Sequence, residues 1–202
     1  LLDYACGNLS PAFELVLSTH LSACSECARD LRAAERLGAE LMLGAAAPVG
    51  LAPEAVLEAN EDTPWLRPRP SPATPGHDLQ GVLSGFLECS MGALPWRTAG
   101  KGLKIAKLRA APSERLWLLH AAPGTVLPRH THAGSELTLV LKGAYFAGDT
   151  IYGAGDLEDA DESVDHQPVV TREGECVCLA VTEGPLRFRS WLPRLAQGFL
   201  GI

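Results

Sequence analysis

The chain has 202 residues, 47% of them hydrophobic, enough for one large domain or two small ones with a buried core. Its net charge of −7 argues against direct nucleic-acid binding. No run approaches the roughly 18–20 uninterrupted apolar residues of a membrane span. No basic stretch leads into an apolar segment and a cleavage site, so a soluble, cytoplasmic protein with no membrane partner is expected. The opening "LLDYACG" reads as the inside of an element, so residues upstream of it are expected.

The charge is uneven. Residues 1–72 hold five Arg, no Lys and ten acids, a net −5, and the other 130 residues hold −2. An acidic first module suits a basic protein partner, such as a DNA-binding protein; plain solubility is the alternative.

In chain order, residues 1–59 are rich in Ala, Leu and Glu and have long stretches without proline. Ser10-Pro11 predicts an N-cap followed by proline at the first helical position. Ser25 is placed to cap a second helix, in which Leu31, Ala34, Leu41 and Met42 recur at helical spacing. Ala55–Ala59 hints at a third. Within this region His20, Cys24 and Cys27 form H-x3-C-x2-C. On one continuous helix these positions share a face. The better reading breaks the helix near Ser22–Ser25, so that the C-x-x-C wraps a metal from the start of the next helix. Thiolates with imidazole select zinc, which takes four tetrahedral ligands in a structural site. The alternative is a buried His beside two small hydrophobes.

"YACGNLSPAFELVLSTHLSACSECARDL" resembles the zinc-binding anti-sigma domain, whose signature is a distant His followed by H-x3-C-x2-C. The resemblance covers residues 1 to about 45. It implies that the fourth zinc ligand is a His upstream of Leu1, with Cys6 as a possible substitute. It also implies that the domain clamps an extracytoplasmic-function sigma factor, hiding the surfaces that bind core RNA polymerase.

The composition then changes. "TPWLRPRPSPATP" places Pro64, Pro68, Pro70, Pro72 and Pro75 within twelve residues, a third of the fifteen prolines in the chain. Such a segment predicts an extended, semi-rigid spacer between modules that each fold alone. The predicted division is a helical module at 1–62, a joint at 63–77 and a second module at 78–202. Beyond the joint, short apolar runs at Leu103–Leu108, Leu116–His120, Leu137–Leu141, Cys176–Val181 and Leu186–Trp191 are separated by Gly, Pro and Asp turns. They predict an antiparallel sandwich or barrel, and an α+β fold for the whole chain.

"RHTHAGSELTLVLKG" lies at the head of one of these runs. Side chains alternate along a strand, so His130, His132 and Glu136 fall on one side by parity and would converge inside a barrel mouth. The spacing Gly124-x5-His130-x-His132-x3-Glu136-x6-Gly143 is similar to the first cupin motif, position for position. "IYGAGD" (Ile151–Asp156) resembles the turn of the second motif, with Gly153 in place of proline. Acidic residues occupy the position where that motif places a His. An acidic loop is therefore expected before the ligand strand, with His166 as fourth ligand and His120 and His77 as competitors. His120 reads as a packed or hydrogen-bonded His, and His77 as a solvated one. A His3Glu set can hold zinc, iron or manganese. Zinc is the expectation here, and four protein ligands would make it structural or sensory.

Cys176 and Cys178 share a strand face with their sulfurs side by side, a poor geometry for a direct disulfide. They read as small core residues or, if redox-active, as a site of sulfenic acid formation or a strained bridge. Cys89 reads as packing.

With both motifs and the joint in this order, the chain resembles the ChrR-type zinc-binding anti-sigma factors. That resemblance implies a repressor, not an enzyme, that holds a group IV sigma factor until singlet oxygen or a related oxidant releases it, with the cupin domain needed for the response. The alternative is a metal-dependent cupin dioxygenase or isomerase with a helical interaction module. A sugar-binding regulatory cupin is disfavoured by the complete ligand set.

Overall fold

The computed structural model describes residues 1–44 and 78–188. The helix expected at Ala55–Ala59, the proline-rich joint with His77, and the end of the strand expected over Leu186–Trp191 lie outside the described residues.

Helix α1 (Leu2–Ala5) leads into α2 (Pro11–Leu21), which starts as its sequence predicts: Ser10 Oγ accepts from Phe13 N at 3.5 Å and Pro11 occupies the first helical position. The helix stops at Leu21, where Ser22 Oγ turns back to donate to Thr19 O at 2.7 Å. Helix α3 (Ser25–Gly44) follows after the break expected at Ser22–Ser25. Of its side chains only Ala28 is fully buried, and Leu37, Leu41, Met42 and Leu43 are exposed. Helix α4 (Leu79–Leu87) was not foreseen in a region read as β. Asp78 Oδ1 caps it, accepting from Gln80 N at 3.1 Å. A single 3₁₀ turn, Met91–Ala93, precedes the strands.

Eleven strands are described: β1 (Arg97–Gly100), β2 (Leu103–Lys107), β3 (Glu114–Ala121), β4 (His130–Thr131), β5 (Glu136–Lys142), β6 (Ala144–Ala147), β7 (Thr150–Gly153), β8 (Leu157–Ala160), β9 (Val169–Val170), β10 (Cys176–Glu183) and β11 (Arg187–Phe188). The main sheet runs β1-β2-β3-β10-β5-β8, every neighbour antiparallel. A smaller sheet, β7-β6-β9, and the pair β11-β4 complete the barrel walls. Four of the strands expected from sequence match β2, β3, β5 and β10 to within a few residues, and β11 falls within the fifth.

The main sheet has two covered faces, which explains why its central strands read as unbroken apolar runs. Leu137, Leu139 and Leu141 of β5, with Val177, Leu179 and Val181 of β10, point to one side and pack with Val16 of α2 and Leu83 of α4. Glu136, Thr138 and Val140, with Cys176, Cys178 and Ala180, point to the other side, into the barrel. Val16 and Leu83 are both 0% exposed, so each contributes about 1.5–3 kcal/mol of burial at the helix–sheet seam. The described helices and the outer face of the main sheet thus share one core, and the barrel interior holds a second, smaller one around Val140, Tyr145 and Cys176. The turn after β5 needs Gly143: its φ is +75°, and a Cβ there would lie 2.1 Å from Glu175 O. That accounts for the glycine that closes the sequence motif.

Candidate metal centres

The barrel cluster is built where β4, the head of β5 and the segment before β9 meet. His130 is clamped to His166 by two backbone bonds, His130 N to His166 O and His166 N to His130 O, each 3.1 Å. His132 follows directly after β4. The chain then bends at Ala133-Gly134, and Ser135 is tied to Glu183 at the end of β10 by Ser135 N to Glu183 Oε2 at 3.1 Å and Glu183 N to Ser135 O at 2.9 Å. Glu136 opens β5. Parity along one continuous strand is therefore not what gathers His130, His132 and Glu136. Strand β4 is only two residues long, and pairing across the barrel does the gathering.

All four side chains are buried, and ligand atoms from His130, His132, Glu136 and His166 lie within 4.8 Å of one another. Each imidazole is held from behind. His130 Nδ1 faces Pro128 O at 2.8 Å, His132 Nδ1 faces Asp161 O at 3.2 Å, and His166 Nδ1 faces Glu158 Oε1 at 3.1 Å. An oxygen acceptor at Nδ1 requires the proton there, which leaves Nε2 as a lone pair in the neutral ring. The Nε2 atoms of His130 and His166 then confront each other at 3.1 Å, and His132 Nε2 makes no hydrogen bond, although Glu136 Oε2 lies 3.4 Å away. Two lone pairs at that distance repel unless a cation or proton stands between them. The donor set fits a cation.

The electrostatics agree. Burial pushes His130 down to about 4 and lowers His132, keeping both neutral. Burial pushes Glu136 up to about 7 when no cation balances its charge. His166 differs: burial disfavours its charged form, but the hydrogen bond and charge of Glu158 outweigh this and raise its pKa. Burial likewise opposes the Glu158 carboxylate, and the bonds from His166 and Tyr145 overcome it, so its pKa falls.

Sequence reasoning missed Glu158 and Tyr145. The stretch taken as an inserted acidic loop begins instead as strand β8, and the loop proper is 161–165. Glu158 pairs with Thr138 across β5–β8 and turns inward, where Tyr145 OH donates to its Oε2 at 2.5 Å. The one available signal was alternation in "LEDA", with buried Glu158 and Ala160 flanking exposed Asp159. His120 is outside the cluster, 2.8 Å from Glu175 Oε2, the hydrogen-bonded role expected of it. Cys176 and Cys178 stand side by side on the inner wall, sulfurs 3.6 Å apart, in the same small cavity as Glu136 and His166. Their hydrogen bond lowers the Cys176 pKa and raises that of Cys178.

The helical cluster is local. His20 sits in the last turn of α2, Cys24 in the break and Cys27 in the first turn of α3, with ligand atoms again within 4.8 Å. Cys24 N bonds back to His20 O at 2.9 Å, and Cys27 N donates to Cys24 Sγ at 3.5 Å. Burial and the neighbouring Cys24 push the Cys27 thiol up to about 11, as expected where a thiolate has no cation beside it. Burial lowers His20, which favours the neutral, ligating ring. Its Nδ1 faces Gly155 O at 2.9 Å, leaving Nε2 for the thiols. This donor set also fits a metal. Cys6 is exposed and does not join the group.

Residues 86–187 match the family described as the ChrR cupin-like domain. The curated anti-sigma-E factor ChrR of Cereibacter sphaeroides is 39% identical over 203 residues, covering 100% of this chain and 95% of that protein. The chain belongs to the ChrR family of anti-sigma factors. A chain in the crystal structure of Rhodobacter sphaeroides SigE in complex with the anti-sigma ChrR matches with a TM-score of 0.70 at 38% identity, covering 90% of this chain and 93% of that one. Membership in the ChrR family decides against the enzyme reading, which the cupin fold alone leaves open. No helix among the described residues is long and apolar enough to cross a membrane.

Proposed function

We propose that this chain binds and inhibits a group IV sigma factor and releases it when an oxidant such as singlet oxygen is present. Similarity at 39% identity over the whole chain to a named anti-sigma factor carries this reading. Two features support it. The acidic N-terminal region suits a basic partner, and α3 leaves Leu37, Leu41, Met42 and Leu43 in the open, 56–88% exposed, as a helix does when its apolar side awaits a partner. The proposed division is 1–62 for sigma binding, 63–77 for the joint and 78–202 for the cupin, in the cytoplasm.

In this reading His20, Cys24 and Cys27 hold a structural zinc, with a fourth ligand from outside the described cluster, and shape the sigma-binding surface. His130, His132, Glu136 and His166 hold a second zinc, in preference to iron or manganese, because three imidazoles and a carboxylate leave little open coordination. That centre, with Cys176 and Cys178 beside it, is the sensing end. The test is a reporter driven by the partner sigma factor, in cells carrying the full chain or its His130→Ala, His132→Ala form. Silence in the dark from both, with release under singlet oxygen from the full chain alone, is expected. An equal response from both would move sensing out of the barrel.

A further inference from the structure

The turn between β7 and β8 touches both metal centres. Gly155 lies in that turn at φ +96°. Its N–H donates to Val140 O at 2.8 Å, and Val140 N donates to Asp156 O at 3.0 Å, which pins the turn to β5. Asp156 Oδ2 also accepts from Gly153 N at 2.8 Å. So fixed, the Gly155 carbonyl points out of the barrel and receives the Nδ1 proton of His20, at 2.9 Å. Three residues along, Glu158 points into the barrel and holds His166 Nδ1 at 3.1 Å. One end of a four-residue segment sets the tautomer of a helical-cluster ligand. The other end sets the tautomer of a barrel-cluster ligand.

We propose that Gly155–Glu158 is a shared support of the two centres, so that the barrel supplies the outer anchor of the helical metal site and each site's affinity depends on the other's integrity. The proposal rests on both clusters binding metal, as proposed above. Oxygen acceptors behind a ligating His fix its orientation and raise its basicity, and losing one typically costs about 10–100-fold in metal affinity. For His20 that acceptor is a backbone carbonyl. Its direction depends on the turn, and the turn continues directly into the strand that seats Glu158. A change in the His166–Glu158 contact can therefore reach His20 through covalent geometry, two backbone bonds and the Asp156 side-chain bond, with no movement of the bulk of the sheet. Gly155 and Glu158 are positioning residues here, acting through the ligands they hold.

The two sites can be read separately with cobalt. Only the helical cluster counts cysteines among its candidate ligands, and a Cys176→Ala, Cys178→Ala background removes the thiols that line the barrel cavity, so a sulfur-to-cobalt charge-transfer band then reports the helical site alone. Titration of the full chain with Co2+ against a competing chelator measures that site alone, and total bound metal then gives the barrel site by difference. Gly155→Val places a β-branched residue at positive φ and redirects the carbonyl. It should weaken the thiolate site by about 10–100-fold. Gly148→Val places the same residue at a positive φ in the β6–β7 turn, at φ +60° with nothing within 4 Å of a new Cβ, and should leave the thiolate site as it was. Glu158→Gln should weaken the barrel site and, through the segment, the thiolate site as well. Unchanged cobalt affinity at the thiolate site in folded Gly155→Val overturns the proposal. Should that variant fail to fold, Glu158→Gln decides, because a weakened barrel site beside an untouched thiolate site overturns it equally. Absence of the charge-transfer band in the unaltered chain would sink the metal reading of the helical cluster itself, a distinguishable failure.

Discussion

The helical and barrel clusters solve one problem in opposite ways. The helical cluster takes its ligands from eight consecutive residues around a helix break, leaves both cysteines partly open, and relies on a carbonyl from elsewhere to orient its single imidazole. The barrel cluster gathers ligands spread from His130 to His166, buries all of them, and backs each imidazole with an oxygen from its own walls. A local site can form early and depends for its rigidity on what packs beside it. A site assembled across a sheet exists only once the sheet is closed, and is then held on every side. On the proposed function, the helical site suits a surface that must meet a partner, and the barrel site an enclosed sensor.

The sharpest way to break this contrast is to empty the helical site. Cys24→Ala, Cys27→Ala should lose one equivalent of zinc by elemental analysis and lose sigma binding with it, since structural zinc in small modules is worth on the order of 10–16 kcal/mol of apparent binding free energy coupled to folding. A zinc-free double variant with native helicity and full inhibition would make the helical metal dispensable and the contrast empty.

Next in size is the seam. Leu83 of α4 is fully buried between α2 and the sheet. Leu83→Ala should cost about 2–5 kcal/mol in urea unfolding. Because helices and sheet share a core, far-ultraviolet helicity and the fluorescence of Trp117, read in a background with the other three tryptophans replaced by Phe, should be lost in one transition. Two separated transitions would mean that helices and barrel fold independently, restoring the modular picture that the proline-rich joint suggests.

A smaller effect separates the barrel ligands by pH. Glu136 takes up a proton near 7 in the metal-free chain, and a protonated carboxyl cannot ligate. Its folded pKa lies above the ordinary value, so ionisation opposes the metal-free fold as pH rises through 4.5 to about 7, and a bound cation relieves that cost. Metal affinity at the barrel should therefore fall as pH drops below about 7, because Glu136, and His166 with its raised pKa, must each give up a proton to ligate, a proton release that calorimetry in buffers of different ionisation enthalpy would measure. An affinity flat between pH 5 and about 7 would remove Glu136 from the ligand set.

The smallest expected change is at Tyr145→Phe, which removes the phenol bonded to Glu158 but keeps the ring stacked on Tyr152 at 5.4 Å between centroids. Loss of a hydrogen bond to a charged group costs about 1.5–3 kcal/mol, and since the bond is formed without metal, the metal-free fold should lose about that much stability, with barrel metal binding weakened besides as Glu158 holds His166 less firmly. A variant that loses stability and keeps its metal affinity would make Tyr145 a packing residue only.

The sequence by itself determined what was local. H-x3-C-x2-C declared the helical cluster because its spacing and its helix break are properties of a few adjacent residues, and Ser10-Pro11 placed the start of α2 for the same reason. The resemblance to the two cupin motifs named His130, His132 and Glu136 and, with an acidic insertion allowed for, His166, with His120 and His77 as competitors. Only the tertiary structure decided how those four meet. Strand β4 is too short for parity to act, and backbone pairing of His130 with His166 brings the sets together. Glu158 and Tyr145 stayed hidden because an inward carboxylate in an acidic run looks like a loop until the β5–β8 register turns it into the barrel. Helix α4 and the shared core stayed hidden for a related reason. An apolar run says that both faces of a strand are covered, but what covers them is chosen by chain segments far away in sequence, and so is the Gly155 carbonyl that His20 finds 135 positions along the chain.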